Sequence, residues 1–200
     1  MLRDQALFAS GLMVDKVGGP SVKPYHPDGL WEMTMGGGHY QLGKGDDLYR
    51  RSLYTYWKRT VPPPSMMTLD AADRSYCVVR RQATSTPLQA LVLLNDPQMV
   101  EASRHVAGRM LREGGVGADQ QVRYAFALVT GRRPTKDEVS IMRRLLEEQV
   151  AHFQKDIAAA ERLLKVGEKP VPGEHPPAQL AAATVLAQLL FNHDETVLRR

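Results

Sequence analysis

The chain has 200 residues, 43% of them hydrophobic, with 26 Lys and Arg against 22 Asp and Glu for a net charge of +4. That is the composition of one globular domain, or one domain plus an appendage, and it excludes a disordered chain. One Cys excludes an internal disulfide, and no run reaches the roughly 18 apolar residues of a membrane span. The most apolar run, residues 178–191, is interrupted by Gln179, Thr184 and Gln188.

Met1 is followed at once by Arg3 and Asp4, with no apolar stretch of a signal peptide. Residues 2–13 place Leu2, Ala6, Leu7, Ala9 and Met13 at helical spacing. The chain thus reads as starting inside a helix and is expected to be a fragment of a longer protein. Residues 18–47 carry GGPSVKPYHPDGLWE and MGGGHYQLGKGDD and read as a long loop. Such a loop makes few backbone hydrogen bonds of its own and must be held down. Tyr25, Leu30, Trp31 and Tyr40 are the expected pegs.

Residues 49–59 alternate, with Leu53, Thr55 and Trp57 on one face and Ser52, Tyr54 and Tyr56 on the other. Their β-branched and aromatic content supports a strand. A helix is also open, because Tyr49, Leu53 and Trp57 are spaced four apart. Pro62, Pro63 and Pro64 end either element. YCVVR, residues 76–80, reads as a second short strand.

Helices follow, clearly punctuated. Thr86-Pro87-Leu88-Gln89 is a capping box with Pro at the first helical position. Asn95 closes that helix, and Asp96-Pro97 opens the next as N-cap and first residue. This second helix shows Val100, Ser103, Val106, Ala107, Met110 and Leu111 on one stripe and stops at Gly114-Gly115. A third helix is expected over residues 119–130, with Gly131 after its end. Thr135 to Glu138 is another capping box and starts the longest helix, to about Lys165, whose charged far end is expected to project from the domain. Pro-rich VGEKPVPGEHPP makes a stiff link. The last helix, residues 177–191, is apolar almost all round and is expected to be buried. The fold class is therefore mainly α, an irregular helical bundle with a long loop-rich N-terminal region and a small β element. Residues 1–85 form the loop-rich Arg/aromatic segment packed on the bundle of residues 86–200, as one structural domain.

The chemistry concentrates in residues 50–81. Arg50, Arg51, Lys58, Arg59, Arg74, Arg80 and Arg81 face only Asp70 and Asp73, a local balance of +5. Arg forks match carboxylate, phosphate and sulfate oxygens, and Tyr54, Tyr56 and Trp57 offer stacking faces for sugars or for the Arg planes. Two readings stand. One is a site for an anionic or glycan ligand. The other, the more economical, is an internal network of Asp70 and Asp73 with Arg74 and Arg80 that pins a loop. An Asp70/Asp73 acid–base pair is the weaker idea, since neighbouring Arg keeps carboxylates ionised. The six His form no HxH or HExxH spacing, so no metal site is read. Cys77, between Tyr76 and Val78, is expected to be a buried inert thiol. Without CxxCH the chain holds no covalent haem. GGGHYQLGKG lacks the GKS or GKT of a phosphate loop, and the cationic cluster is too local for nucleic acid.

The phrases RRSLYTYWKRTVPPPSMMTLDA, DRSYCVVRRQATSTPLQALVLLNDP, TGRRPTKDE and LLFNHDE, with GGPSVKPY and GLWE, resemble the planctomycete C-terminal domain of unknown function 1553. The resemblance covers nearly the whole chain. It implies a module of large secreted proteins, some carrying a c-type cytochrome domain, a second uncharacterised domain or sugar-binding-like modules. Any c-type haem would then belong to a domain absent here, and no cofactor to this chain. The resemblance supplies no catalytic residues. The expected location is exported, periplasmic or extracellular. The expected role is an interaction or site-completing module, its partners an anionic polysaccharide or other domains of the parent protein, with no nucleic acid and no membrane span. The residues expected to carry it are Arg51, Arg59, Arg74, Arg80 and Arg81 for anion pairing, Trp57 for stacking and Asp70 for orienting Arg. The alternatives are part of a glycan-acting hydrolase or oxidoreductase whose site is shared with a missing domain, and a purely structural scaffold.

Overall fold

The computed structural model describes residues 1–200 except 35–37, 73, 81, 172 and 198–200. The fold is mainly helical, with nine α-helices among the described residues. The chain divides into two compact units: residues 13–92 together with Met1, and residues 2–12 together with 93–200.

The helical unit contains α1 (Leu2–Ser10), α4 (Pro97–Glu113), α5 (Ala118–Thr130), α6 (Lys136–Lys155), α7 (Ile157–Leu164), α8 (Pro177–Phe191) and α9 (Asp194–Val197). α8 packs on α4, α6 and α7, while α1 packs on α4 and α5. Ala181, Ala182, Ala183, Leu186 and Ala187 of α8 are buried, so small side chains let neighbouring helices approach closely. The expected caps are present. Asp96 accepts from the Gln98 N–H at 2.9 Å. Thr135 accepts from the Glu138 N–H, while the Glu138 carboxylate accepts from the Thr135 N–H at 2.7 Å. Gly131 takes the left-handed φ of 81° that ends α5.

The long helix expected to reach Lys165 ends at Lys155. Asp156 stands outside helical geometry and caps α7 by accepting from the Ala159 N–H at 2.9 Å. A side chain that satisfies the first free N–H groups of a helix makes a new start as favourable as continuation. The far end also packs instead of projecting: Phe153 and Ala160 are buried, and α7 lies on α8. The Pro-rich link is held on α4 by buried polar side chains. Glu101, fully buried, accepts from the Lys169 N–H at 2.8 Å. Arg104 donates to the carbonyls of Leu164 and Lys169, and His105 Nε2 donates to the Lys169 carbonyl at 3.1 Å.

The loop unit contains two 3₁₀ turns, Gly45–Tyr49 and Ser52–Tyr54, and α2 (Pro64–Thr68). α3 (Pro87–Asn95) runs across the division between the units. Its capping box is formed, with the Thr86 N–H donating to Gln89 Oε1 at 3.1 Å and the Gln89 N–H to Thr86 Oγ1 at 3.3 Å. The expected β element is minor. It consists of isolated bridges, Val14 to Arg50 and Val22 to Thr55 in parallel and Lys58 to Val61 antiparallel. The second 3₁₀ turn lies between the first two bridges and resets the alternation read from residues 49–59. Thr55 is buried, while Leu53, expected on the same face, is exposed. Among the described residues, the buried hydrophobic side chains of this unit are Val22, Trp31, Leu48 and Tyr49. That is a thin core for some 80 residues, and polar and aromatic contacts carry much of the order.

Candidate interaction surface

The loop unit is held by cations. Arg50 is 2% exposed. Its guanidinium donates to the carbonyls of Pro20 at 3.0 Å, Lys16 at 2.9 Å and Gly18, and lies over the Tyr54 ring at 3.9 Å. The carbonyls converge because Gly18 and Gly19 turn the chain with φ of 78° and 84°, a region open to Gly at little cost. A fork with five donors suits such a cluster. Nearby, Trp31, 8% exposed, is the centre of a second cluster. Tyr40 meets it edge-on at 5.0 Å and Tyr56 tilted at 5.8 Å, with His26 stacked on Tyr40 at 4.4 Å. The ammonium groups of Lys23 and Lys58 lie 5.0 and 4.4 Å from the Trp31 ring centre. Tyr40 also donates to the Pro24 carbonyl at 2.5 Å. Trp31 and Tyr40 thus act as the expected pegs, with the lysines completing them.

The residues singled out from the sequence distribute differently. Trp57 is half-buried, and Arg74 stacks over its ring at 4.6 Å. Arg51, Arg59, Arg74 and Arg80 are exposed. Among the described residues no carboxylate pairs with any of these four. Arg81 and Asp73 lie outside the described residues.

The internal network read for Asp70 is corrected, since its partners are neutral. The Thr84 N–H donates to Oδ2 at 2.7 Å, the Thr84 hydroxyl reaches both oxygens, and Gln89 Nε2 donates to Oδ2 at 3.1 Å. Gln89 also donates to Thr84 Oγ1 at 2.8 Å. Asp70 has a left-handed φ of 59° and Arg74 one of 66°, conformations uncommon for non-Gly residues though tolerated by Asp. Asp70 therefore orients the base of a loop, not an Arg. Both its oxygens are engaged by these donors.

That loop is the other correction. The expected strand at residues 76–80 is not formed. Tyr76 is 69% exposed, Val79 fully so, and Cys77 is a free, exposed thiol. Among the described residues no backbone hydrogen bond involves residues 76–80. Val and Tyr favour strands because they fit a paired, half-buried surface, and the chain offers this segment no such partner.

Elsewhere the charged clusters are internal. Arg132 pairs with Glu138 and Glu195, both at 2.6 Å, and lies over the Phe126 ring. The Arg132 hydrogen bonds, then the Thr135 N–H, hold the Glu138 carboxyl down at about 2. Among the described residues no group of three or more His, Cys, Asp or Glu is placed to hold a metal ion, and no helix is long and apolar enough to cross a membrane.

Residues 1–146 match the family described as Protein of unknown function (DUF1553). The chain belongs to this family. The DUF1553 match takes in the whole loop unit and α4, α5 and half of α6, and it stops before α7, α8 and α9. No curated protein and no solved structure matches the chain.

Proposed function

We propose that this DUF1553 domain is a non-catalytic interaction module whose loop unit docks onto an acidic polypeptide, a further domain of the same exported parent protein. One observation carries the reading: Arg51, Arg59, Arg74 and Arg80 are exposed without a carboxylate partner among the described residues, in a unit that also exposes Leu53, Tyr76, Val78 and Val79. Arg and aromatic side chains are the residues enriched at interfaces. Unneutralised Arg favours an anionic partner, of which a carboxylate-rich polypeptide is one. The thin core agrees, since such a unit gains most from being covered.

The test is titration of the 200-residue chain with poly-L-glutamate, poly-L-lysine and polygalacturonate at about 50 and about 300 mM salt. The wild type is compared with the variant R51Q/R59Q/R74Q/R80Q. Salt-sensitive binding to polyglutamate, lost in the variant, is the expected result. An acidic polysaccharide is the second reading, favoured by the Arg74–Trp57 stack, which combines an anion-pairing group with an aromatic face for a sugar ring. Binding to polygalacturonate alone would establish it in place of the first. Binding to neither refutes both.

A further inference from the structure

We propose that residues 76–80 are a docking strand that adds to an open sheet edge of the acidic polypeptide partner, with Arg74 and Arg80 paired to carboxylates beside that edge. The inference rests on the reading above and names the element that engages the partner. Three independent observations converge on it. The first is chemical: Tyr76, Val78 and Val79 have the side chains of a strand, yet no backbone N–H or C=O of residues 76–80 is paired within the described chain. Unpaired strand-forming backbone is the template on which a further strand is added. The second is geometric. The segment is not a slack loop, because its base is fixed by Asp70, Thr84 and Gln89. Its near flank is set by Arg74 against Trp57. Holding the base and the near flank lowers the ordering cost of binding. The third is electrostatic: the exposed arginines on either side have no carboxylate partner among the described residues.

The alternatives fit less well. A lipid surface matches an apolar tip with a cationic collar, but a leaflet offers no partner for unpaired backbone. A second copy of this chain offers backbone, but antiparallel self-pairing sets cationic flank against cationic flank.

The experiment uses the intact chain and a synthetic peptide of alternating Val and Glu. Poly-L-glutamate, a Val and Lys peptide, and phosphatidylglycerol vesicles are the comparisons. The readouts are affinity and amide hydrogen exchange of residues 76–80. The key variant is Val78→Pro, which removes one N–H and no charge, with tryptophan fluorescence checking that the loop unit stays folded. The Val/Glu peptide is expected to protect these amides, and Val78→Pro to weaken its binding about tenfold while leaving polyglutamate binding unchanged. If the acidic probes bind but the amides stay unprotected, or Val78→Pro binds equally well, the strand inference fails and the acidic-partner reading stands. If neither acidic probe binds, both fail. Vesicle binding abolished by Val79→Asp would replace the inference with a lipid surface, and concentration-dependent dimerisation lost in Val78→Pro would replace it with a second copy.

Discussion

Replacing Arg50 by Met tests the claim that a cation, more than a hydrophobic core, orders the loop unit. The guanidinium makes at least three charge-assisted hydrogen bonds to carbonyls and a ring contact. Such hydrogen bonds are worth about 1.5–3 kcal/mol each when buried, and a cation–π contact about 0.5–2 kcal/mol. The full sum overstates the loss, because Lys16, Gly18 and Pro20 are exposed residues whose carbonyls regain water. Met also recovers packing against Tyr54. A loss of about 3 kcal/mol is expected, with Arg50→Lys keeping about a third of the hydrogen bonding because its single ammonium lacks the fork. The assay is unit-specific. Both tryptophans of the chain, Trp31 and Trp57, lie in the loop unit, whereas most helix lies in the other. Urea unfolding followed by tryptophan fluorescence should therefore shift strongly, and unfolding followed by far-ultraviolet circular dichroism far less. A fluorescence shift below about 0.5 kcal/mol, within the range of ordinary surface substitutions, would refute the reasoning. So would full retention of stability in Arg50→Lys.

Three further outcomes are expected. Asp70→Ala should cost about 1–2 kcal/mol and speed proteolytic cleavage within residues 71–83, while Asp70→Asn, which keeps one acceptor and tolerates left-handed backbone, should do so much less. Burial holds the His105 imidazole below its usual value, so the folded state favours the neutral ring. The unfolded chain then binds the extra proton first, and stability that is complete above about pH 6.5 falls as the pH drops below it. Comparing urea midpoints at pH 7.5 and 5.5 should show a smaller drop in His105→Gln, which retains a donor for the Lys169 carbonyl. Gly167→Ala should cost about 3 kcal/mol by thermal unfolding, because φ is 92° and its Cβ would sit 2.6 Å from Glu101 Cγ. Gly131→Ala, with φ of 81° and open space around it, should cost only the backbone penalty of about 1–2 kcal/mol.

Helix starts and stops were legible because their chemistry is local. The capping boxes at Thr86 and Thr135 and the Asp96 N-cap each involve residues within three positions. The break at Asp156 uses the same local chemistry, but the apolar spacing of Phe153, Ile157 and Leu164 runs across it and masks it. Residues 76–80 carry strand preference without forming a strand, because that preference describes a surface supplied from outside, and among the described residues this chain does not supply it. Arg50 was not singled out, since nothing in RRS distinguishes a buried Arg from the exposed Arg51 beside it. The signal lay in GGP, whose turn leaves carbonyls that require a donor. The cluster around Trp31 was half legible: the rings are a matter of composition, whereas the positions of Lys23 and Lys58 depend on how the loop closes.

The order of synthesis gives the packing of α1 a kinetic meaning. α1 is made before its main neighbours α4 and α5, which begin only at Pro97 and Ala118. A helix of nine residues is marginal by itself in water. At the ribosome's pace of about 5–20 residues per second, α1 waits for many seconds before its neighbours exist. α8, which closes the same core, comes later still and is apolar on nearly every side. α4, α5, α6 and α7 can pack on their sequence neighbours as they emerge, but the faces of α4, α6 and α7 that meet α8 wait for it. The core of the helical unit is complete only once α8 has been made, and until then the apolar faces that α8 covers need shelter from other chains.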